Sequence, residues 1–454
     1  GFRGIQEHLP ELQLLGITAI EIMPIADFPG RHNWGYDGVL PYAPDRAYGT
    51  PDELKSLVDA AHGMGLCVML DVVYNHFGPD GAYLHAYAKP FFREDLKTPW
   101  GAAIDFRRPE VRDYFIQNAV YWLLEYRFDG LRFDAVHAIS EEDFLTDLAR
   151  IVRGRIEKGR RIGLVLEHEN NRARLLGGPP RFDAQWADDF HHCLHVLLTG
   201  ENEGYYEDFQ DATHQLARVL AEGFAYQGEV SPHAARPRGE PSAHLPVTAF
   251  VVCLQNHDQI GNRAMGDRLT TLADKPALHA ATGLLLLCPF IPMLFQGEEW
   301  ASRSPFLFFT DHNRDLAEAV REGRRAEFKR FSAFQDPAKR ARIPDPNAPS
   351  TFAASIPEQS DPSHFDFVRR LLALRRERIA PGIPGCRSEG ASVLGTGAVR
   401  AAWRLGNGSR LALAVNLGAE TVDPQMPEGE RLYASAEAGP DRLPPGTFIA
   451  QLAR

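Results

Sequence analysis

Along most of this chain, segments with apolar residues at helical spacing take turns with short runs that are apolar throughout. This alternation restricts the fold more than any other feature. Residues 5–15 have helical spacing and lead into Thr18-Ala-Ile-Glu-Ile-Met23, a run with β-branched residues that reads as a buried strand. Thr50-Pro51-Asp52-Glu53 offers an N-cap side chain, a proline at the first helical position and acids in the first turn. A helix therefore opens there and runs to about Met64, where Gly65 stops it, and Leu66 to Val73 is the next strand. The pattern repeats with a helix from Pro109 to Tyr126, a turn at Phe128-Asp129-Gly130 and a strand from Leu131 to Asp134. Ser140-Glu-Glu-Asp143 is a capping pattern opening a helix to about Arg153, ended by Gly154, and Gly163 to Glu167 is the strand that follows. Val247 to Asn256 and Pro289 to Gln296 are further strands.

A strand that is apolar on both faces belongs to a parallel sheet covered on both sides by helices. The chain has 454 residues, and no Gly-rich phosphate fingerprint follows any strand, so a (β/α)8 TIM barrel is favoured over an open doubly wound sheet. From about residue 388 the character changes to short β-prone runs. Ala398 to Leu405 and Arg410 to Leu417 flank Gly406-Asn407-Gly408-Ser409, a strong hairpin signal. The expected organisation is a catalytic barrel over residues 1–387, with a C-terminal antiparallel β domain, a β-sandwich, over 388–454. The Pro- and Ala-rich stretch from Ile343 to Pro362 reads as a long loop over the barrel. Because residues 5–15 read as the first barrel helix, the first barrel strand is expected upstream of this numbering. Gly1-Phe2-Arg3-Gly4 is neither an initiator methionine nor a signal peptide.

Composition narrows the class of partner. The 49 Lys and Arg stand against 60 Asp and Glu, a net charge of −11, which argues against nucleic-acid binding. The most apolar run, Ala281 to Phe295, is broken by Pro289 and Pro292, so no segment has the roughly 18 apolar residues of a membrane span. The five cysteines are scattered, mostly in apolar contexts, and form no CxxC pair. They suit a reducing, cytoplasmic setting and give no support to a zinc site.

In a parallel barrel, functional side chains gather at the carboxyl ends of the strands. Those ends here supply Asp71 with Asn75 and His76, Arg132 with Asp134 and His137, then Glu167, then Asn256, His257 and Asp258. Any one acid at a strand end can equally be a helix cap or an ion-pair partner; four ends of the same character point to one pocket. Paired carboxylates without a metal motif suit glycoside chemistry, one acid attacking the anomeric carbon and the other protonating the leaving oxygen. Asp134 lies two residues after Arg132 on a strand, so both point to one side and the cation should keep the carboxylate ionised. Glu167 ends an apolar strand, where desolvation should raise its pKa toward that of a general acid. Asp258, beside His257, is placed to hold sugar hydroxyls. Trp34, Tyr36, Tyr74 and Trp186 offer flat apolar faces, for sugar rings or for core packing.

Asp71-Val-Val-Tyr-Asn-His76, Gly130-Leu-Arg-Phe-Asp134, the strand-end Glu167 and Asn256-His-Asp258 resemble, in order, the four signature regions of the α-amylase superfamily. The resemblance implies a retaining double displacement with Asp134 as nucleophile, Glu167 as acid/base and Asp258 as transition-state stabiliser. It also implies that His76, Arg132 and His257 line the subsite of the attacked glucose. The segments from Glu21 to Asp37, Asp134 to Ile139, Gln185 to His192 and Arg342 to Pro346 resemble the maltooligosyltrehalose trehalohydrolases within that superfamily. On that resemblance Trp34, Tyr36, Asp37, His137, Trp186 and Asp188 join the substrate-binding set. The implied substrate is maltooligosyl trehalose or a related α-glucan, cut at the α-1,4 bond next to the terminal trehalose, downstream of an enzyme that forms it. No cofactor is implied. Asn75 stands where some superfamily members bind calcium, but without accompanying acidic ligands no metal is expected. Members of this family also carry an N-terminal β domain, expected upstream of residue 1. Two other readings stay open: a glycogen branching enzyme, which shares the four regions but transfers the glucan chain, and a noncatalytic sugar-binding protein on the same scaffold.

Overall fold

The computed structural model describes residues 1–453. Seven strands, β1 (Ala19–Ile22), β2 (Cys67–Val72), β3 (Gly130–Phe133), β4 (Gly163–Leu166), β5 (Ala184–Trp186), β6 (Phe250–Val252) and β7 (Ile291–Pro292), form one sheet. Every pairing is parallel and the ladder follows chain order without a reversal. That is the winding of a (β/α)8 barrel; a doubly wound sheet would reverse direction partway. The main helices are α1 (Phe2–Leu15), α2 (Pro51–Gly63), α3 (Pro109–Glu125), α4 (Glu142–Arg155), α5 (Asp188–Thr199), α6 (Ala212–Glu222), α7 (Lys275–Leu287), α8 (Arg314–Glu327) and α9 (Pro362–Leu374).

The apolar strands are buried from two sides. Leu70, Leu131, Phe133, Leu164 and Leu166 join Leu57, Phe115, Leu123 and Leu148 of the helices in the main core. Val165, Ala184 and Trp186 meet Met69, Val251 and Met293 in a separate inner cluster. Parallel register puts Asp71 beside Arg132 and Arg132 beside Val165, so the inner face continues upward into the polar strand ends. Among the described residues no helix is long and apolar enough to cross a membrane.

Local signals set most element boundaries. Thr50 makes the capping box that its sequence promises: Glu53 N–H donates to Thr50 Oγ1 at 3.2 Å and Thr50 N–H to Glu53 Oε2 at 2.9 Å. Ser140, by contrast, caps nothing. The N-cap of α4 is Glu141, and Ser140 Oγ donates to Glu141 Oε2 while accepting from Arg93. Gly154 does not end α4 either; the helix runs on to Arg155, carried by the buried Leu148 and Val152. The last two barrel strands are shorter than their apolar runs. Val247–Ala249 coils into a 3₁₀ turn before β6, and Pro292, which has no N–H, closes β7 after two residues. β5, three residues long, was not separable by pattern. The stretch from Ile343 to Pro362 is not all loop, since Pro349–Ala354 is helical and buries Thr351.

Beyond the barrel, β8 (Arg387–Gly395), β9 (Ala398–Arg404), β10 (Arg410–Asn416), β11 (Glu430–Ala434) and β12 (Thr447–Ala453) form an antiparallel sheet in the order β8-β9-β10-β12-β11. The β9–β10 hairpin closes where expected, with Gly408 at φ 89° and Leu405 N–H donating to the Ser409 carbonyl. α7 packs on this sheet. An added Cβ at Gly283 would stand 2.6 Å from Phe448 Cδ1, so the helix approaches the sheet at glycine distance.

Candidate active site

The strand ends converge on one guanidinium. Arg132, fully buried on β3, places Nη1 at 2.5 Å from Asp71 Oδ2 and 2.9 Å from Asp134 Oδ1, and Nη2 at 2.7 Å from Glu167 Oε2. Its carbon lies 4.1 Å from the centre of the Trp186 ring, which fixes the plane of the fork from below. Burial works against the charge, yet Asp71 and Glu167 around it hold Arg132 protonated well above the ordinary range. Asp71 also accepts from the Tyr36 hydroxyl at 2.6 Å.

Immediately after Asp134 the chain turns through Ala135 at φ 40°, a left-handed conformation that alanine rarely takes. The turn aims the Ala135 N–H at Glu167 Oε2, 2.8 Å away. Asp134 and Glu167 thus sit on the two terminal nitrogens of one guanidinium fork. The charge balance differs from the sequence expectation, which had Asp134 ionised and Glu167 raised. Burial, then repulsion from Glu167, pushes the Asp134 carboxyl well up, and its share of Arg132 does not compensate. Burial pushes Glu167 upward too, but Arg132 and the Ala135 N–H outweigh it and hold Glu167 below its usual value. The physical reason is the division of one cation: Nη1 is split between Asp71 and Asp134, whereas Nη2 serves Glu167. The two carboxyls are therefore shifted in opposite directions, Asp134 up and Glu167 down.

Asp258 stands just past β6 on a short helix, His257–Gly261, capped by Asn256, whose side chain accepts from Gln259 N–H at 2.9 Å. Burial, and then Glu167, raise Asp258 to about 6. Asp188, at the start of α5, is raised to about 8 by burial and by the charges of Glu167 and Asp258. His257 is lowered to about 3 by burial and by Arg132, so it is neutral at pH 7. Its ring stacks on Tyr36 at 5.0 Å and meets Trp34 edge-on at 5.6 Å. His76 Nε2 lies 2.9 Å from the Tyr36 carbonyl, and burial keeps this histidine neutral too.

Of the aromatics, Trp34 is buried behind His257 with its indole N–H on the Leu307 carbonyl, packed flat against Phe306. Tyr74 points into the barrel core, donating to Asn118 Oδ1 and tilted against Phe115, and does not reach the site. Asp37 Oδ2 accepts from Asn33 at 2.7 Å and lies 3.7 Å from His312 Nε2. His137 Nε2 is 3.9 Å from Glu169 Oε2, while His137 Nδ1 and Trp186 Nε1 are buried without a protein partner.

Three features escaped the sequence reading. Trp100, in the turn between the short strands Phe92–Thr98 and Gly101–Ile104, stacks on His76 at 5.0 Å. The loop after Glu167 is braced from below. Gln185 donates to the His168 carbonyl and to Asn171 Oδ1, Asn171 donates to Asp189 Oδ2, and Arg238 Nη2 reaches Asp189 Oδ1 at 2.7 Å. The strained Ala135 is the third. Nothing in the local sequence announces it.

The model of the α-amylase catalytic domain matches residues 1–97, and that of a domain of unknown function, DUF3459, matches residues 386–449. A malto-oligosyltrehalose trehalohydrolase of Deinococcus radiodurans is 42% identical over 438 residues, 92% of this chain and 72% of that one. One of Saccharolobus solfataricus is 40% identical over 83% of this chain and 66% of its own length. A crystal structure described as a putative α-amylase from Salmonella typhimurium superposes with a TM-score of 0.93 at 44% identity, covering all of this chain and 79% of that one. On the likeness to the Deinococcus protein, over 92% of this chain and 72% of that protein, this chain belongs to the malto-oligosyltrehalose trehalohydrolases of the α-amylase superfamily.

Proposed function

We propose that this chain is a retaining glycoside hydrolase that cleaves the α-1,4 bond next to the terminal trehalose of maltooligosyl trehalose, releasing trehalose. The observation that carries the reading is the pair Asp134 and Glu167, held side by side on one buried guanidinium, Asp134 2.9 Å from Arg132 Nη1 and Glu167 2.7 Å from Nη2. That closeness suits a nucleophile and an acid/base acting on one anomeric centre; an inverting pair stands about 6.5–9.5 Å apart to admit a water.

In this reading Asp134 attacks the anomeric carbon while Glu167 protonates the leaving oxygen; Glu167, then a carboxylate, draws the proton from the water that hydrolyses the glycosyl ester. Asp258, on the short helix past β6, stabilises the oxocarbenium-like transition state. His76 and His257, both kept neutral by burial, can donate to or accept from sugar hydroxyls without adding charge that would oppose that cation. Tyr36, Trp34, Asp37, His137, Trp186 and Asp188 complete the substrate-binding set, Trp34 by backing His257. Catalysis is assigned to residues 1–387, with 388–454 as the supporting β domain. The five free cysteines fit a cytoplasmic enzyme of trehalose synthesis, supplied by an enzyme that builds maltooligosyl trehalose.

Incubation with maltooligosyl trehalose and, separately, with amylose tests the reading. Free trehalose, with the glucan product released first as the α-anomer, is the expected result; new α-1,6 branches without trehalose would assign a branching activity instead. Asp134→Asn and Glu167→Gln should each lower kcat by about 10³-fold or more while leaving glucan binding intact. Near-parental turnover in either variant would overturn the assignment.

A further inference from the structure

The short helix His257–Gly261 that presents Asp258 is gripped from outside the catalytic set. Arg324, in the last turn of α8, donates through Nη2 to the carbonyls of Gly261 at 2.5 Å and Arg263 at 3.1 Å, and through Nη1 to Asn262 Oδ1 at 3.4 Å. Asn262 Nδ2 in turn donates to Asp258 Oδ1 at 2.5 Å. One residue therefore separates a guanidinium on an outer helix from a carboxylate of the reaction centre. On its other side the turn lies against Trp34, whose ring atoms are 2.1 Å from where a Cβ on Gly261 would stand, so the turn cannot move inward.

The setting of Arg324 is unlike that of its helix. α8 buries no residue completely and is densely charged, yet the Arg324 side chain is only 9% exposed, with the Phe308 and Phe328 rings 5.4 Å and 4.9 Å from its carbon. Its nearest carboxylate, Glu327, is 3.7 Å away and half exposed, so the fork is directed mainly at backbone and amide oxygens. Burying a guanidinium is costly, and here the compensation is the set of acceptors that fix this turn. The start of α8 is fastened across the site mouth, since Asn313 Nδ2 donates to Asp80 Oδ2 at 2.8 Å in the loop after β2. The helix is thus tied at one end to the β2 loop and at the other to the turn of Asp258.

We propose that Arg324 is a positioning residue for Asp258, setting the orientation of its carboxylate through Asn262 and the Gly261 carbonyl. The proposal rests on Asp258 serving the transition state as described above. A carboxylate that acts only on a developing cation contributes through its placement, so a loosened turn lowers kcat and leaves ground-state binding alone.

The test compares Arg324→Ala, Arg324→Lys, Asn262→Ala and the Arg324→Ala/Asn262→Ala double variant with Asp258→Asn, reading trehalose release from maltooligosyl trehalose. Arg324→Ala should lose about 10- to 100-fold in kcat with KM within about two-fold of the parent. Arg324→Lys, which keeps the charge without the fork, should recover only part of that loss, and it carries the test if the alanine variant does not fold. The double variant should lose no more than the worse single variant, because both act through one chain of hydrogen bonds. A kcat within about two-fold of the parent, a rise in KM that accounts for the loss, or strictly additive losses would overturn the proposal. If Asp258→Asn loses turnover while Arg324→Ala does not, only this inference fails; if Asp258→Asn keeps full turnover, the reading of Asp258 fails first.

Discussion

Arg132 meets three carboxylates with one fork, and the way they share it pushes Asp134 up and holds Glu167 down. The Arg132-x-Asp134 spacing was legible, because residues two apart on a strand face the same way. The division of the cation was not, because it depends on Asp71 and Glu167, which stand 61 and 35 positions away in the chain and arrive through neighbouring strands. The left-handed Ala135 was equally hidden, being imposed by its surroundings against its own preference. Asp188 gives a measurable consequence. Its carboxyl ionises near 3.8 in an unfolded chain and near 8 in the folded one, raised by burial and then by Glu167 and Asp258. Below the lower value the group is protonated in both states and contributes nothing. As pH rises above it, the unfolded chain releases the proton that the folded one keeps, so the native state is penalised increasingly up to about 8. Asp188→Asn should therefore melt higher than the parent at pH 8, with the difference vanishing toward pH 4. Calorimetry at the two pH values checks this, and an equal or lower melting temperature at pH 8 would show the carboxylate to be stabilising.

Helix starts separate what local chemistry settles from what packing settles. Thr50, Pro51 and Glu53 hold every part of a capping box within four residues, and α2 begins where they place it. Ser140-Glu-Glu-Asp143 has similar letters, but Arg93, brought from a distant hairpin, draws Ser140 and Glu141 into an ion-paired cluster, and α4 starts two residues later. Thr50→Ala should accordingly lose about 1 kcal/mol of stability in a urea titration, whereas Ser140→Ala should stay within about 0.5 kcal/mol of the parent. A Ser140→Ala loss equal to that of Thr50→Ala would mean that the serine supports α4 after all. Apart from β5, the strands of the barrel were readable from apolar runs, but their lengths were not. β6 and β7 are cut to three and two residues by a 3₁₀ turn and a proline, which an apolar count cannot register.

At the scale of the whole molecule, the barrel and the terminal sheet share one core. Phe448 on β12 is fully buried against Gly283 of α7, and Trp403 of β9 lies 6.5 Å from Phe290 at the approach to β7. Phe448→Ala should destabilise the protein by about 3–5 kcal/mol, and the barrel and sheet should still unfold in one transition. Two separate transitions in the parent would contradict a shared core. The sequence by itself determined the class of fold, because two-sided apolar strands are stable only in a covered parallel sheet. It also indicated which polar side chains the strand ends bring onto Arg132, because a period of two fixes side-chain direction within a strand. Only the tertiary structure decided the opposite pKa shifts of Asp134 and Glu167, the burial of Tyr74 in the core, the brace from Arg238 and the grip of Arg324 on the Asp258 turn. Each of these depends on distances between residues far apart in the chain, and electrostatic and packing energies are set by those distances, which local pattern does not encode.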